Sequence, residues 1–139
     1  DVDPARVAMT GNSGGGTMTL FSTAVDRRIA ACAPSCYFST FAGSTLAMNH
    51  CACNFVPGVS QVAEMSDLAG LVAPRPMLII AGTKDTIFPI DAVREGFAAA
   101  QRIYRDAKAP DNIELYEGDG GHRFYAARVW DFFDEKLKH

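Results

Sequence analysis

The chain has 139 residues, of which 48% are hydrophobic and 21% charged, and its 13 basic and 16 acidic side chains give a net charge of −3. The length fits one domain with a sizeable core. The acidic balance, with Arg27-Arg28 as an isolated basic pair, speaks against a nucleic-acid footprint, and no apolar run is long enough to predict a membrane span. Position 1 does not begin a signal peptide, which leaves the compartment open.

"RVAMT" (6–10), after Asp3-Pro4, reads as a strand. Glycines follow, then "TMTLFSTAV" (17–25), where Met18, Phe21 and Val25 share one helical face and Leu20 and Ala24 the next, so a buried helix is expected. "RIAACA" (28–33) reads as a strand ended by Pro34-Ser35. Residues 36–58 have no steady period and read as irregular. Residues 60–71 are weakly helical, and Pro74 and Pro76 then exclude helix. "MLIIAG" (77–82) is wholly apolar, as a buried parallel strand requires. Residues 91–107 form the clearest helix, with Val93, Phe97, Ala100, Tyr104 and Ala107 on one face and Asp91 as N-cap. "NIELYEG" (112–118) alternates as a half-buried strand, and 123–137 reads as a last helix with Tyr125, Val129, Phe132 and Phe133 inward. This alternation predicts an α/β fold, a mostly parallel sheet with flanking helices joined by right-handed crossovers.

Four cysteines, at 32, 36, 51 and 53, are few for a disulfide scaffold. His50-Cys51-x-Cys53 has soft ligands at close spacing but lacks the separated second pair of a zinc site. No metal or organic cofactor is expected, and His50 and the cysteines are read as packing residues.

"GNSGGGT" (11–17) has no lysine for a phosphate loop, and the third glycine of a dinucleotide fingerprint falls on Thr19. It does fit G-x-S-x-G between a strand and a helix, a sharp turn that presents Ser13 above the sheet edge. Side chains at 11 and 15 are expected to collide with the close backbone there. The competing reading is a plain N-cap serine. A serine nucleophile needs a base and an orienter. His139 is terminal and His50 lies in the irregular stretch, whereas His122 follows a predicted strand. Asp85 also follows a strand, and its rival Asp119 sits only three residues before His122. The order Ser13, Asp85, His122 is the serine, acid, histidine order of α/β-hydrolases.

On these motifs the chain resembles the C-terminal half of an α/β-hydrolase, of the dienelactone hydrolase, acetyl xylan esterase and prolyl-oligopeptidase-like branch. "VAMTGNSGGGT" is similar to its nucleophile elbow, "APRPMLIIAGTKDTIFPI" to its acid turn and "EGDGGHRF" to its histidine turn. The resemblance implies a serine hydrolase acting on a small ester, with Ser13, Asp85 and His122 catalytic and Gly14 N–H in the oxyanion hole. Asn12, Thr86, Phe88 and Arg123, beside these residues, are candidate substrate contacts. The alternatives are a prolyl-oligopeptidase-like peptidase and a non-catalytic subunit that assembles through an open sheet edge. The family's strands before the elbow and its second oxyanion donor have no counterpart in residues 1–139, so a second polypeptide carrying that half, or a homo-oligomer, is expected. Neither nucleic acid nor membrane is an expected partner.

Overall fold

The computed structural model describes residues 2–138; Asp1 and His139, the third histidine, lie outside the described residues. The strands are β1 (Ala8–Asn12), β2 (Ala31–Ser35), β3 (Met77–Gly82) and β4 (Ile113–Gly118). They pair in parallel in that order, so β1 and β4 form the two edges. The helices are α1 (Gly14–Val25), α2 (Met65–Val72), α3 (Ile90–Asp106) and α4 (Ala126–Leu137).

The period-two pleat sorts strand residues onto two cores. Cys32, Met77, Ile79 and Ala81 face Leu20 of α1, Met65 and Val72 of α2, and Val93 and Tyr104 of α3. Ala33, Leu78 and Ile80 face Val129 and Phe132 of α4 on the opposite side. β3 is buried at all six positions, as its uninterrupted apolar sequence requires. Arg75 ties the layers together: its guanidinium donates to the carbonyls of Thr23, Asp26, Ile29, Leu71 and Val72. It thereby satisfies acceptors at the C-terminal ends of α1 and α2 that those helices leave open.

Several expectations are corrected. The first two strands lie two to three residues later than the apolar runs indicate, and β2 includes Pro34 and Ser35. Proline is tolerated there because β2 pairs with β3 on either side of it, at Cys32 and Ser35, and the ladder skips the missing N–H. Asp91 lies in the first turn of α3, whose N-cap is Pro89. In α1 the inward face is Gly16, Thr17, Thr19, Leu20 and Thr23, whereas Met18 and Val25 are exposed. Thr19 and Thr23 can be buried because their hydroxyls donate back to the carbonyls of Gly15 and Thr19. The first part of the irregular stretch after β2 belongs to the core: residues 36–41 are all buried.

Candidate active site

The C-terminal ends of the four parallel strands meet along one edge, and each strand delivers one reactive side chain just past its end: Ser13 after β1, Cys36 after β2, Asp85 after β3 and His122 after β4.

Ser13 sits between β1 and α1 with φ 57° and ψ −119°, a conformation that L-residues avoid. The turn is held by Ser13 N–H donating to Ser35 O at 2.9 Å and by Thr17 N–H donating to Ser13 O at 2.9 Å. The Ser13 hydroxyl makes no capping bond, so its side chain does not perform the N-cap function weighed above. The turn requires a close backbone approach, which dictates two of its glycines. A Cβ at Gly11 would stand 2.6 Å from Gly15 O, and one at Gly16 would stand 2.6 Å from Ser35 O. Gly15, expected to be crowded, faces open space; its own carbonyl is the atom that excludes a side chain at position 11. Gly14 opens α1, so its N–H has no intrahelical acceptor.

Asp85 is buried, and both oxygens of its carboxylate are engaged. Oδ1 accepts from Ile87 N–H at 2.8 Å and Phe88 N–H at 3.1 Å, and Oδ2 lies 2.8 Å from His122 Nδ1. A carboxylate only accepts, so Nδ1 carries a hydrogen, and in the neutral imidazole Nε2 is then the free acceptor. The loops bearing the pair are stitched together by Thr83 N–H donating to Gly118 O and Lys84 N–H to Gly120 O. Phe88 stacks on the His122 ring, with centroids 5.9 Å apart and planes 18° from parallel. Asp119 points away: it pairs with Lys84 Nζ at 2.6 Å on the exposed surface, and that hydrogen bond lowers its pKa. Ser13 and His122 share the sheet edge, but no hydrogen bond joins them among the described residues. Such contacts often tighten only when substrate is bound.

Among the remaining sequence candidates, Asn12 accepts a hydrogen bond from Ser35 Oγ at 2.9 Å, and Thr86 is exposed on the acid turn. Phe88 is buried beneath His122, and Arg123 lays its guanidinium over the Tyr125 ring at 4.9 Å.

Two neighbours were not singled out from the sequence. Cys36, in a left-handed conformation (φ 47°), has its thiol within 4.8 Å of the ligating atoms of Asp85 and His122. It donates to Arg123 O at 3.3 Å, and burial pushes its pKa up. Its place one residue past a buried strand is the signal that would have found it. His50 lies 5.1 Å, ring to ring, from Phe88, on a loop that brings Cys53 beside Gly14. All four cysteines are free. A cavity of about 210 Å³ opens beside Asn54, lined by Phe41, Leu46, Phe55 and Val56 among others, and none of Ser13, Asp85 and His122 lines it.

The four-stranded parallel sheet flanked by helices is an α/β-hydrolase-like domain, an architecture shared with part of several solved esterases and a peptidase. Its particular relatives carry the comparison further. The Bacillus subtilis (strain 168) protein YtaP, which bears a provisional hydrolase name, is 28% identical over 125 residues, 88% of this chain and 42% of its own length. The solved methylesterase BT1017 is 29% identical, with a TM-score of 0.77 over 99% of this chain and 31% of its own. A family 15 carbohydrate esterase, the glucuronoyl esterase of Caldicellulosiruptor kristjansonii, superposes with a TM-score of 0.81 at 21% identity, over 99% of this chain and 44% of its own. The acylaminoacyl peptidase of Pyrococcus horikoshii superposes at 0.68 with 19% identity, over 99% of this chain and 25% of its own. No family model matches the chain. The chain thus spans less than half the length of each of these relatives.

Proposed function

We propose that this chain carries the catalytic residues of a serine hydrolase that cleaves carboxylic esters through an acyl-enzyme, with short acyl esters such as acetylated carbohydrates as its substrates. One observation carries the reading: Ser13, in a strained strand-to-helix turn with a hydroxyl free of capping duty, stands on the same sheet edge as half-buried His122 paired with buried Asp85. The likeness to a methylesterase supports an ester over an amide.

In this reading His122 Nε2 takes the Ser13 proton as Oγ attacks the ester carbonyl. Asp85 holds the imidazole in the required tautomer and stabilises the imidazolium. Gly14 N–H donates to the oxyanion, assisted by the positive end of α1. His122 then protonates the leaving alcohol, and water repeats the cycle on the acyl-enzyme. Asn12, Thr86 and Arg123 border the substrate, and buried Phe88 supports the His122 ring from beneath. Residues 1–139 are the elbow-to-last-helix part of the catalytic domain. The preceding strands, with the second oxyanion donor, pair with the open edge of β1 from another stretch of polypeptide.

A serine-directed fluorophosphonate tests the nucleophile. Ester-active protein should take one label, mapped to Ser13 by peptide mass, and Ser13→Ala should take none. A label elsewhere, or undiminished activity in Ser13→Ala, would overturn the assignment. Running short esters against prolyl amides on the same material separates esterase from peptidase, and a higher kcat/KM on the amide would move the reading to the peptidase.

A further inference from the structure

The loop after Asn49 holds a chain of hydrogen bonds whose direction is set from its Ser44 end. Ser44 Oγ donates to Ile87 O at 2.7 Å, so toward His50 Nε2, 3.1 Å away, it acts as an acceptor. His50 Nε2 therefore bears hydrogen. Asn54 Oδ1 accepts from Thr17 Oγ1 at 2.8 Å, which leaves the Asn54 amide nitrogen facing His50 Nδ1 at 3.2 Å. An amide nitrogen only donates, so Nδ1 is a bare acceptor. The far end of this chain is α1: Thr17 N–H donates to Ser13 O, and Thr17 is buried.

We propose that His50 is a positioning residue: as a neutral imidazole with its proton on Nε2, it clamps the 50–54 loop onto the start of α1 and makes that loop one wall of the candidate site. The wall is close to the chemistry. Cys53 Sγ stands 3.6 Å from where a Cβ on Gly14 would lie, and His50 packs edge-on against Phe88, which stacks on His122. That the wall serves a catalytic site rests on the ester-hydrolase reading; the clamp itself does not.

Protonation breaks the clamp. A second hydrogen on Nδ1 would face the Asn54 NH2 group, donor against donor. Burial lowers the His50 pKa from the usual 6.5, and the neighbouring charge of His122, when present, lowers it further. The hydrogen bond to Ser44 and, less strongly, the charge of Asp85 act the other way. The clamp is thus fully present above the unfolded-state value near 6.5 and is lost as pH falls through the lowered folded value.

The test needs no activity. In histidine-labelled protein at about pH 7.5, 15N shifts should show His50 Nδ1 as pyridine-like and Nε2 as pyrrole-like. His50→Ala should speed exchange of the Asn54 and Phe55 amides about tenfold, the worth of a lost hydrogen bond or two. His50→Gln, which keeps one donor and one acceptor, should hold them within about threefold of wild type. Asn54→Asp, which replaces the donor with a carboxylate, should move a proton onto Nδ1. A proton on Nδ1 in the wild type at that pH overturns the proposal, and the wild-type spectrum decides this even if a variant fails to fold. Unchanged exchange in a folded His50→Ala also overturns it. Failure of Ser13 labelling with a correct His50 tautomer would instead count against the esterase reading alone.

Discussion

Two carboxylates compete for His122, and burial separates them. Asp85 has both carboxylate oxygens engaged inside the fold, by two backbone amides and the imidazole. Asp119 spends its charge on an exposed lysine, an arrangement worth little in water. Asp85→Asn should keep the fold but present the wrong hydrogen to Nδ1, and kcat toward esters should fall about 10⁴-fold. Asp119→Asn should stay within about twofold of wild type. Steady-state kinetics on both variants decides this, and a large loss in Asp119→Asn would reverse the assignment. The Asp85–His122 pairing could be anticipated because both residues follow predicted parallel strands, whose C-terminal ends converge. Cys36 and His50 were not legible in this way. Their surroundings are made by contacts across long separations, Cys36 with Arg123 and His50 with Phe88, through a stretch with no period to read.

At the scale of elements, the order of strands and helices was legible, and the inward face of α1 was not. Hydrophobicity rightly pointed to Leu20 but also to Met18 and Val25, which are exposed, whereas threonines and a glycine turn to the sheet beside Leu20. Back-bonded hydroxyls make threonine a small, self-satisfied packing residue, which a polarity pattern misreads. The close approach this allows is tightest at Gly16, where a Cβ would also stand 2.8 Å from Tyr37 Cβ. Gly16→Ala should therefore cost about 1–3 kcal/mol, the usual penalty of overpacking. Gly15→Ala, one residue earlier and facing open space, should instead gain about 0.5–1 kcal/mol from helix propensity. Urea midpoints at unchanged slope measure both. Equal effects at the two positions would mean that α1 does not lie on the sheet as closely as described.

At the scale of the whole molecule the open question is what pairs with β1. Both central strands are buried along their full length, whereas every residue of β1 is only half-covered. Its backbone accounts for this. Val7 O accepts from Ala30 N–H, and Ser13 N–H donates to Ser35 O, so the odd-numbered residues face β2. Ala8, Thr10 and Asn12 then direct their N–H and C=O groups to the side where no strand lies among the described residues, a template for another strand. The proposed assembly fills that side, and the proposed mechanism calls for it: with Gly14 N–H as its one oxyanion donor, that mechanism would forgo about 2.7–4 kcal/mol of transition-state stabilisation. In the 139-residue chain alone, the amides of Met9, Gly11 and Ser13 should resist hydrogen exchange, while those of Ala8, Thr10 and Asn12 exchange nearly freely. In the smallest form of the protein that hydrolyses esters, the even-numbered amides should slow by about a hundredfold or more, as ladder bonds form on the second side. Light scattering and intact mass on that form identify whether the added strand comes from a longer polypeptide, a second protein or another copy. Free exchange of Ala8, Thr10 and Asn12 in a fully active form would show that catalysis does not need a strand there, and the proposed assembly would fall with it.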